Sequence, residues 1–263
     1  MSVYLYKMKL QMLINLTYRF EVFAALAARL ILILANVFLW GTVYSGQETI
    51  SDVSREQMIT YSVLSACLSV MCYCGIQGSL NNDVRSGNVA ILMMRPYSLL
   101  AGYFSEDVGT VIVKAVTVAF PILVICSIFL PLRGPASPEV LLLVFLSYLC
   151  GYMILWLLGA LVSMFAFVTM ELGNMGVVKD MLVAILSGSM IPIWFFPEGV
   201  ERLLMKTPFP YTYQTPLGLY IGKIDPREGV GQILIQLLWM AILGAVVAFV
   251  WKKVRNKVLV QGG

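Results

Sequence analysis

Apolar, charge-free runs alternate with short charged patches along nearly the whole chain. The runs cover residues 30–47, 57–82, 115–132, 140–170, 181–197 and 229–251. A membrane-spanning helix needs about 20 predominantly apolar residues. The pattern therefore predicts six spans, near 29–46, 58–78, 107–130, 140–168, 179–197 and 230–251. The fourth is longer than one crossing requires, which implies tilt or a helical extension. Ahead of them, residues 1–28 have a different period. Lys7, Gln11, Asn15 and Arg19 recur at four-residue spacing, and Leu5, Met8, Met12, Leu16 and Phe20 form the opposing apolar stripe. This predicts an amphipathic helix lying along the inner leaflet, with a plain helical extension of the first span as the alternative.

Three connecting segments carry further information. Residues 79–103 contain Asn82 and Asp83, which favour a turn or cap, then the chain-breaking Gly87-Asn88. A short apolar run, Val89 to Met94, follows, and Pro96 stops any helix beyond Arg95. An apolar helix flanked by Arg85 and Arg95 has the make-up of a docking element; an interfacial loop that merely turns the chain is its plainer reading. Pro192, Trp194, Phe196 and Pro197 form an aromatic and proline-rich edge after the fifth run. Such aromatics gather at membrane–water interfaces. In 198–229, apolar pieces too short to span are separated by Pro208, Pro210 and Pro216, a pattern of re-entrant or surface-lying helices. The turn 171–179 is brief and marked by Gly173 and Gly176.

Composition agrees with a chain surrounded by lipid. Sixty per cent of the 263 residues are hydrophobic and 12% are charged, against about 25% charged in soluble domains. The fold class expected is an all-α integral membrane protein with an N-terminal interfacial helix. A net charge of +4, scattered along the chain, gives no nucleic-acid binding surface. Histidine is absent, which removes histidine metal sites and histidine-based catalysis. The five cysteines, Cys67, Cys72, Cys74, Cys126 and Cys150, lie in apolar stretches and read as packing residues, so neither a disulfide framework nor a metal site is expected. Polar residues interrupt any apolar core after Lys7 and Lys9, so no cleaved leader is expected.

Basic residues set an orientation. With the N-terminus inside, the inner segments hold Lys7, Lys9, Arg19, Arg29, Arg85, Arg95, Lys179, Lys252, Lys253, Arg255 and Lys257. The outer segments hold Arg55, Arg133, Arg202, Lys206, Lys223 and Arg227. Both termini are therefore expected in the cytoplasm, with the chain in the cell membrane.

No phosphate-cradling Gly-x-x-x-x-Gly-Lys-Ser/Thr occurs, and no Gly-x-Ser-x-Gly, so neither an intrinsic ATPase nor a serine hydrolase is expected. The order of elements is recognisable in another way. Asp83-Val84-Arg85-Ser86-Gly87-Asn88-Val89 with Met94-Arg95-Pro96 resembles the coupling region of ABC-2 family exporter permeases. Leu186-Ser187-Gly188-Ser189-Met190-Ile191-Pro192-Ile193-Trp194-Phe195-Phe196-Pro197 resembles the end of that family's fifth span. The family's usual glutamate is Asp83 here. The resemblance implies a permease with no cofactor of its own, ATP and magnesium being held by a separate ATP-binding subunit, and a dimer formed with a second copy or a sister permease. It also implies that Asp83, Arg85, Gly87, Asn88, Val89, Ile91, Leu92, Arg95 and Pro96 serve ATPase coupling, and that Pro192, Trp194, Phe196 and Pro197 belong to an outer gate.

Three ionisable residues remain. Glu106 and Asp107 open the predicted third span, where acids suit a helix N-terminus. Lys114 lies seven residues beyond Asp107 within that span, and an intramembrane lysine is either paired with an acid of a neighbouring helix or touches substrate. The alternatives to an exporter are an ion-gradient-driven transporter, which would want acids near the bilayer middle, and a non-transporting interaction or immunity subunit.

Overall fold

The computed structural model describes residues 2–135, 137–169 and 172–261. Glu171 of the inner turn, and the side chains of Arg19 and Lys257, lie outside this description. The described chain is helical apart from one two-stranded hairpin. The helices are α1 (Val3–Thr17), α2 (Arg19–Val43), α3 (Arg55–Met71), α4 (Ile76–Arg85), α5 (Asn88–Met93), α6 (Leu99–Lys114), α7 (Phe120–Phe129), α8 (Pro138–Ser163), α9 (Ala166–Thr169), α10 (Met175–Leu186), α11 (Glu198–Leu204), α12 (Pro210–Ile221) and α13 (Pro226–Gln261). The hairpin pairs β1 (Thr49–Ile50) with β2 (Val53–Ser54), antiparallel.

Among the described residues, five helical stretches are long and apolar enough to cross a membrane: Phe20–Val43, Arg55–Arg85, Leu99–Phe129, Pro138–Thr169 and Pro226–Arg255. The first begins nine residues earlier than the sequence pattern placed it, so Arg29 lies within it rather than at its start. The third runs about 46 Å at 1.5 Å per residue. The expected crossing at 179–197 is not one continuous helix. Helix α10 has 12 residues, and the chain then turns at Gly188, whose φ of +82° leaves the helical region. A short helical turn, Ile193–Phe195, follows.

Helix α3 starts on a capping box: the Ser54 hydroxyl accepts from the Gln57 amide, and the Gln57 side chain accepts from the Ser54 amide. It packs antiparallel to α2, with Ile33, Val63 and Cys67 joined by Val118, Ala119 and Ile122 in one buried cluster. The α6–α7 rod passes through a single π turn, Ala115–Ala119. Such turns add a residue without ending a helix.

Helix α12 is the centre of the bundle. Every residue from Pro210 through Leu219 is buried, between α8, α13 and α3. Gly151 of α8 makes room for it, since a Cβ there would lie 2.8 Å from the Thr212 carbonyl oxygen. Buried amides hold its ends. Gln236 donates to the Tyr211 carbonyl at 2.5 Å and to Ser147, and Gln57 donates to the Ile221 carbonyl at 2.8 Å. Gly222 closes the helix at φ +77°.

The N-terminal helix corrects a second expectation. Its polar stripe faces protein, not water. Lys7 forms an ion pair with Glu106 of α6 at 2.6 Å. The Asn15 amide donates to Thr110 at 3.1 Å, and the Ser98 amide donates to the Tyr4 hydroxyl at 3.1 Å. These contacts advance in step, so α1 and α6 run in the same direction. Gly109 admits the close approach, because a Cβ there would lie 2.6 Å from the Met8 carbonyl oxygen. Leu5, Leu10, Leu13 and Leu16 stay exposed. In a hydrocarbon solvent this is the stable arrangement, since the polar groups find partners only inside the protein. Reversing one charge, Lys7→Glu, is expected to cost about 1 kcal/mol. The swapped pair Lys7→Glu with Glu106→Lys should recover most of it, read as melting midpoints in detergent.

Candidate functional site

The break between α3 and α4 is where the elements converge. Helix α3 ends at Cys72, whose amide donates to the Leu68 carbonyl, and residues 73–75 are not helical. The restart at Ile76 exposes amides with no intrahelical acceptor. Asp107, on α6, supplies the missing acceptor. Its carboxylate accepts from the Gly75 amide at 2.9 Å, the Ile76 amide at 3.1 Å and the Trp156 indole N–H at 3.0 Å. Asp107 is 5% exposed, so its charge sits at the positive end of α4 with three donors around it. Gly75 is required for this approach: a Cβ would lie 2.5 Å from an Asp107 oxygen and 2.9 Å from the Tyr73 ring. Gly159 of α8 opens space for Cys74, and Gly176 of α10 opens space for Gln77.

The three ionisable residues grouped from sequence are therefore divided among different partners. Glu106 holds Lys7 of α1. Asp107 caps α4 and bonds Trp156 of α8. The Lys114 ammonium lies 3.5 Å from the centroid of the Tyr73 ring, a cation–π contact. The Tyr73 ring is a partner that the sequence pattern did not name for Lys114.

Below the break, α4 leads to a sharp corner. Asp83 accepts from the Tyr103 hydroxyl at 2.5 Å and from the Asn88 side-chain amide at 2.9 Å. Those bonds tie α4, α5 and α6 together. Gly87 turns the chain at φ +72°, in the left-handed region that favours glycine. Val89 is 5% exposed and joins Ile76, Leu80, Leu99 and Ile154 in the largest buried cluster, with Leu92 and Met93 packed against it. The sequence had placed Val89, Ile91 and Leu92 together on a partner-facing surface. The helix instead turns Val89 and Leu92 inward, leaving Ile91 at 55% and Met94 at 77% exposure. Arg85, Asn88, Arg95 and Pro96 are exposed beside them.

At the other end of the bundle, the aromatic edge is packed rather than spread along an interface. Trp194 stands edge-on to Tyr61 at 5.3 Å between ring centroids, and Phe195 stacks on Trp40 at 5.3 Å. Pro192 is buried, Phe196 half-buried and Pro197 exposed. Side chains the sequence pattern did not single out hold this break. The Tyr61 hydroxyl donates to the Gly188 carbonyl at 2.7 Å, Ser65 donates to the Ser189 carbonyl at 2.6 Å, and Gln214 accepts from the Ile193 amide at 2.8 Å. Their signal was polar residues inside otherwise apolar runs. A buried polar group in such a place has a partner.

The family model described as ABC-2 family transporter protein matches residues 30–262. The chain belongs to the ABC-2 transporter family. No curated protein matches it. In this ABC-2 chain the matched interval begins inside α2, so α1 lies outside it, while the α3–α4 break, the α4–α5 corner and α12 all lie within. The family accounts for a multi-pass membrane subunit of an ABC transporter whose central elements are helices and turns.

Proposed function

We propose that the chain is the permease of an ATP-driven exporter, working as a dimer of two copies or with a sister permease, and that a separate ATP-binding subunit docks on the α4–α5 corner. In this reading α10 and residues 187–197 together make a sixth, interrupted crossing. Both termini are cytoplasmic, and the chain itself hydrolyses no ATP. The observation that carries the reading is the corner itself. It presents Ile91 and Met94 outward between Arg85 and Arg95, and Asp83, Asn88 and Tyr103 fix its shape. Force applied there passes along α4 to a helix break clamped by Asp107, and from there into α3. A two-state element of this kind lets nucleotide binding on the partner bias the packing of the spans.

The test is co-purification with the cognate ATP-binding subunit. Each exposed apolar side chain buried on docking contributes about 1.5–3 kcal/mol. The double variant Ile91→Asp with Met94→Asp is therefore expected to lose the partner almost completely, while Arg133→Asp at the hairpin end keeps it. An undiminished complex with the double variant would remove the corner from the coupling path. Leu92→Asp is unsuited to the purpose, because Leu92 packs into the chain's own core.

A further inference from the structure

Helices α2, α3 and α7 have their ends together on the hairpin side, and a cavity of about 700 Å³ opens between them, within the usual range for small-molecule sites. Its lining includes Tyr44, which caps α2, Ser54, which caps α3, and Leu130, which caps α7. All three helices belong to stretches long and apolar enough to span, so the cavity sits where the membrane meets water. Val37, about 10 Å inside the end of α2, and Ile59, one turn into α3, give it an apolar floor. Phe38 and Phe129, chain neighbours of the lining residues Val37 and Leu130, are 75% and 78% exposed. The walls therefore pass directly into surface that faces lipid.

Charge specifies the occupant. Arg55, Arg133, Glu48 and Glu56 all line the cavity. Among the described residues none of the four takes part in an ion pair; the pairs formed are Lys7–Glu106, Lys179–Asp180, Arg202–Glu198 and Lys223–Asp52. The Arg55 guanidinium reaches from α3 across to α2, where a Cβ on Gly41 would lie 3.4 Å from it. The Arg133 amide donates to the Thr60 hydroxyl at 2.9 Å, which holds the chain after α7 against α3. Two cations and two anions around one cavity, none neutralised by another, match a ligand that carries both signs. A ligand of one sign would leave the like-charged pair facing it unanswered.

We propose that the cavity binds the head group of an aminophospholipid from the leaflet on the hairpin side. Its phosphate lies against Arg55 and Arg133, its primary ammonium donates to Glu48 and Glu56, and its acyl chains run down the wall beside Phe38 and Phe129. Arginine matches a phosphate with two parallel N–H bonds, and an ammonium keeps three donors for carboxylates. The bound head joins the connection between α2 and α3 to the segment that follows α7.

The test uses the whole chain, purified without any ATP-binding subunit and stripped of lipid in detergent. It is titrated with phosphatidylethanolamine, phosphatidylcholine and phosphatidylglycerol of identical acyl chains, and bound lipid is read by native mass spectrometry. Phosphatidylethanolamine should bind about tenfold more tightly than either of the others, since the choline head has no N–H to donate and the glycerol head has no cation. Arg55→Gln should weaken it by about tenfold, and Arg55→Lys, which keeps the charge but not the planar fork, by less. Glu48→Gln with Glu56→Gln should bring phosphatidylethanolamine down to the phosphatidylcholine level while phosphatidylglycerol gains. The substituted side chains are exposed and unpaired, so melting midpoints measured without lipid should not move. Equal binding of the three lipids by the unmodified chain would overturn the proposal, and so would a preference for phosphatidylethanolamine that survives the double glutamate variant. Soluble glycerophosphoethanolamine binding as tightly as the lipid would overturn the membrane source of the head. No partner enters the measurement, and the cavity lies at the opposite end of the bundle from the α4–α5 corner, so its outcome stands apart from that of the docking test.

Discussion

Asp107→Ala is expected to lower the melting midpoint of the purified chain in detergent by about 10 °C or more, the largest single effect in the molecule. The substitution removes one acceptor and strands three donors: the Gly75 and Ile76 amides and the Trp156 indole. Each unsatisfied buried donor costs about 1–3 kcal/mol, and the amides also lose the negative charge at the start of α4. Asp107→Asn keeps a carbonyl acceptor of the same shape and should fall only part of the way. If alanine and asparagine variants melt together with the unmodified chain, the α3–α4 junction is not held by this carboxylate. Thermal melting followed by tryptophan fluorescence separates these outcomes.

Gly151→Val should be nearly as damaging, for a steric reason. The α12 backbone lies against Gly151 so closely that even a Cβ falls 2.8 Å from the Thr212 oxygen. Two branching methyls would push α12 away from α8 and from the Gln236 side chain that bonds both Tyr211 and Ser147. Overpacking of this kind costs about 1–3 kcal/mol, with the lost hydrogen bonds added. Gly244 of α13, which has open space around it, provides the matching control: Gly244→Ala should leave the midpoint where it was.

The comparison of pattern with structure separates what a linear sequence records from what it does not. The long apolar runs around Ile33, Val118 and Leu243 announce helices because nothing in them suits water. The helix break after Cys72 was hidden by the same fact: Cys72, Tyr73, Cys74 and Gly75 are as compatible with apolar surroundings as the helix on either side. Asp107 was read as an acid opening the third span, but that span starts at Leu99 and Asp107 lies in the middle of α6, where it caps α4, whose first residue Ile76 is 31 positions earlier. The period of Lys7, Gln11 and Asn15 was also correct, while the side it faced was not. Periodicity gives the stripe, and only the neighbouring helix decides whether the polar side meets water or Glu106. At the corner, the turn at Gly87 followed from residue type. The inward rotation of Val89 and Leu92 depended on Ile154, which is distant in sequence and brought there by tertiary packing.

The burial of α12 also dictates an order of assembly. A helix with no side left for lipid cannot rest in the bilayer as an independent unit, unlike α2, which is exposed almost throughout. Its hydrogen-bond partners come from before and after it in the chain: Gln57 precedes it, while Gln232 and Gln236 follow. During synthesis α12 emerges before α13, so its buried carbonyls and Thr215 wait for a span not yet made. The C-terminal helix therefore acts as the closing piece. Until it enters the membrane, the middle of the protein is a vacancy flanked by α3 and α8, and a chain stalled short of Gln236 is the form that quality-control proteases would meet.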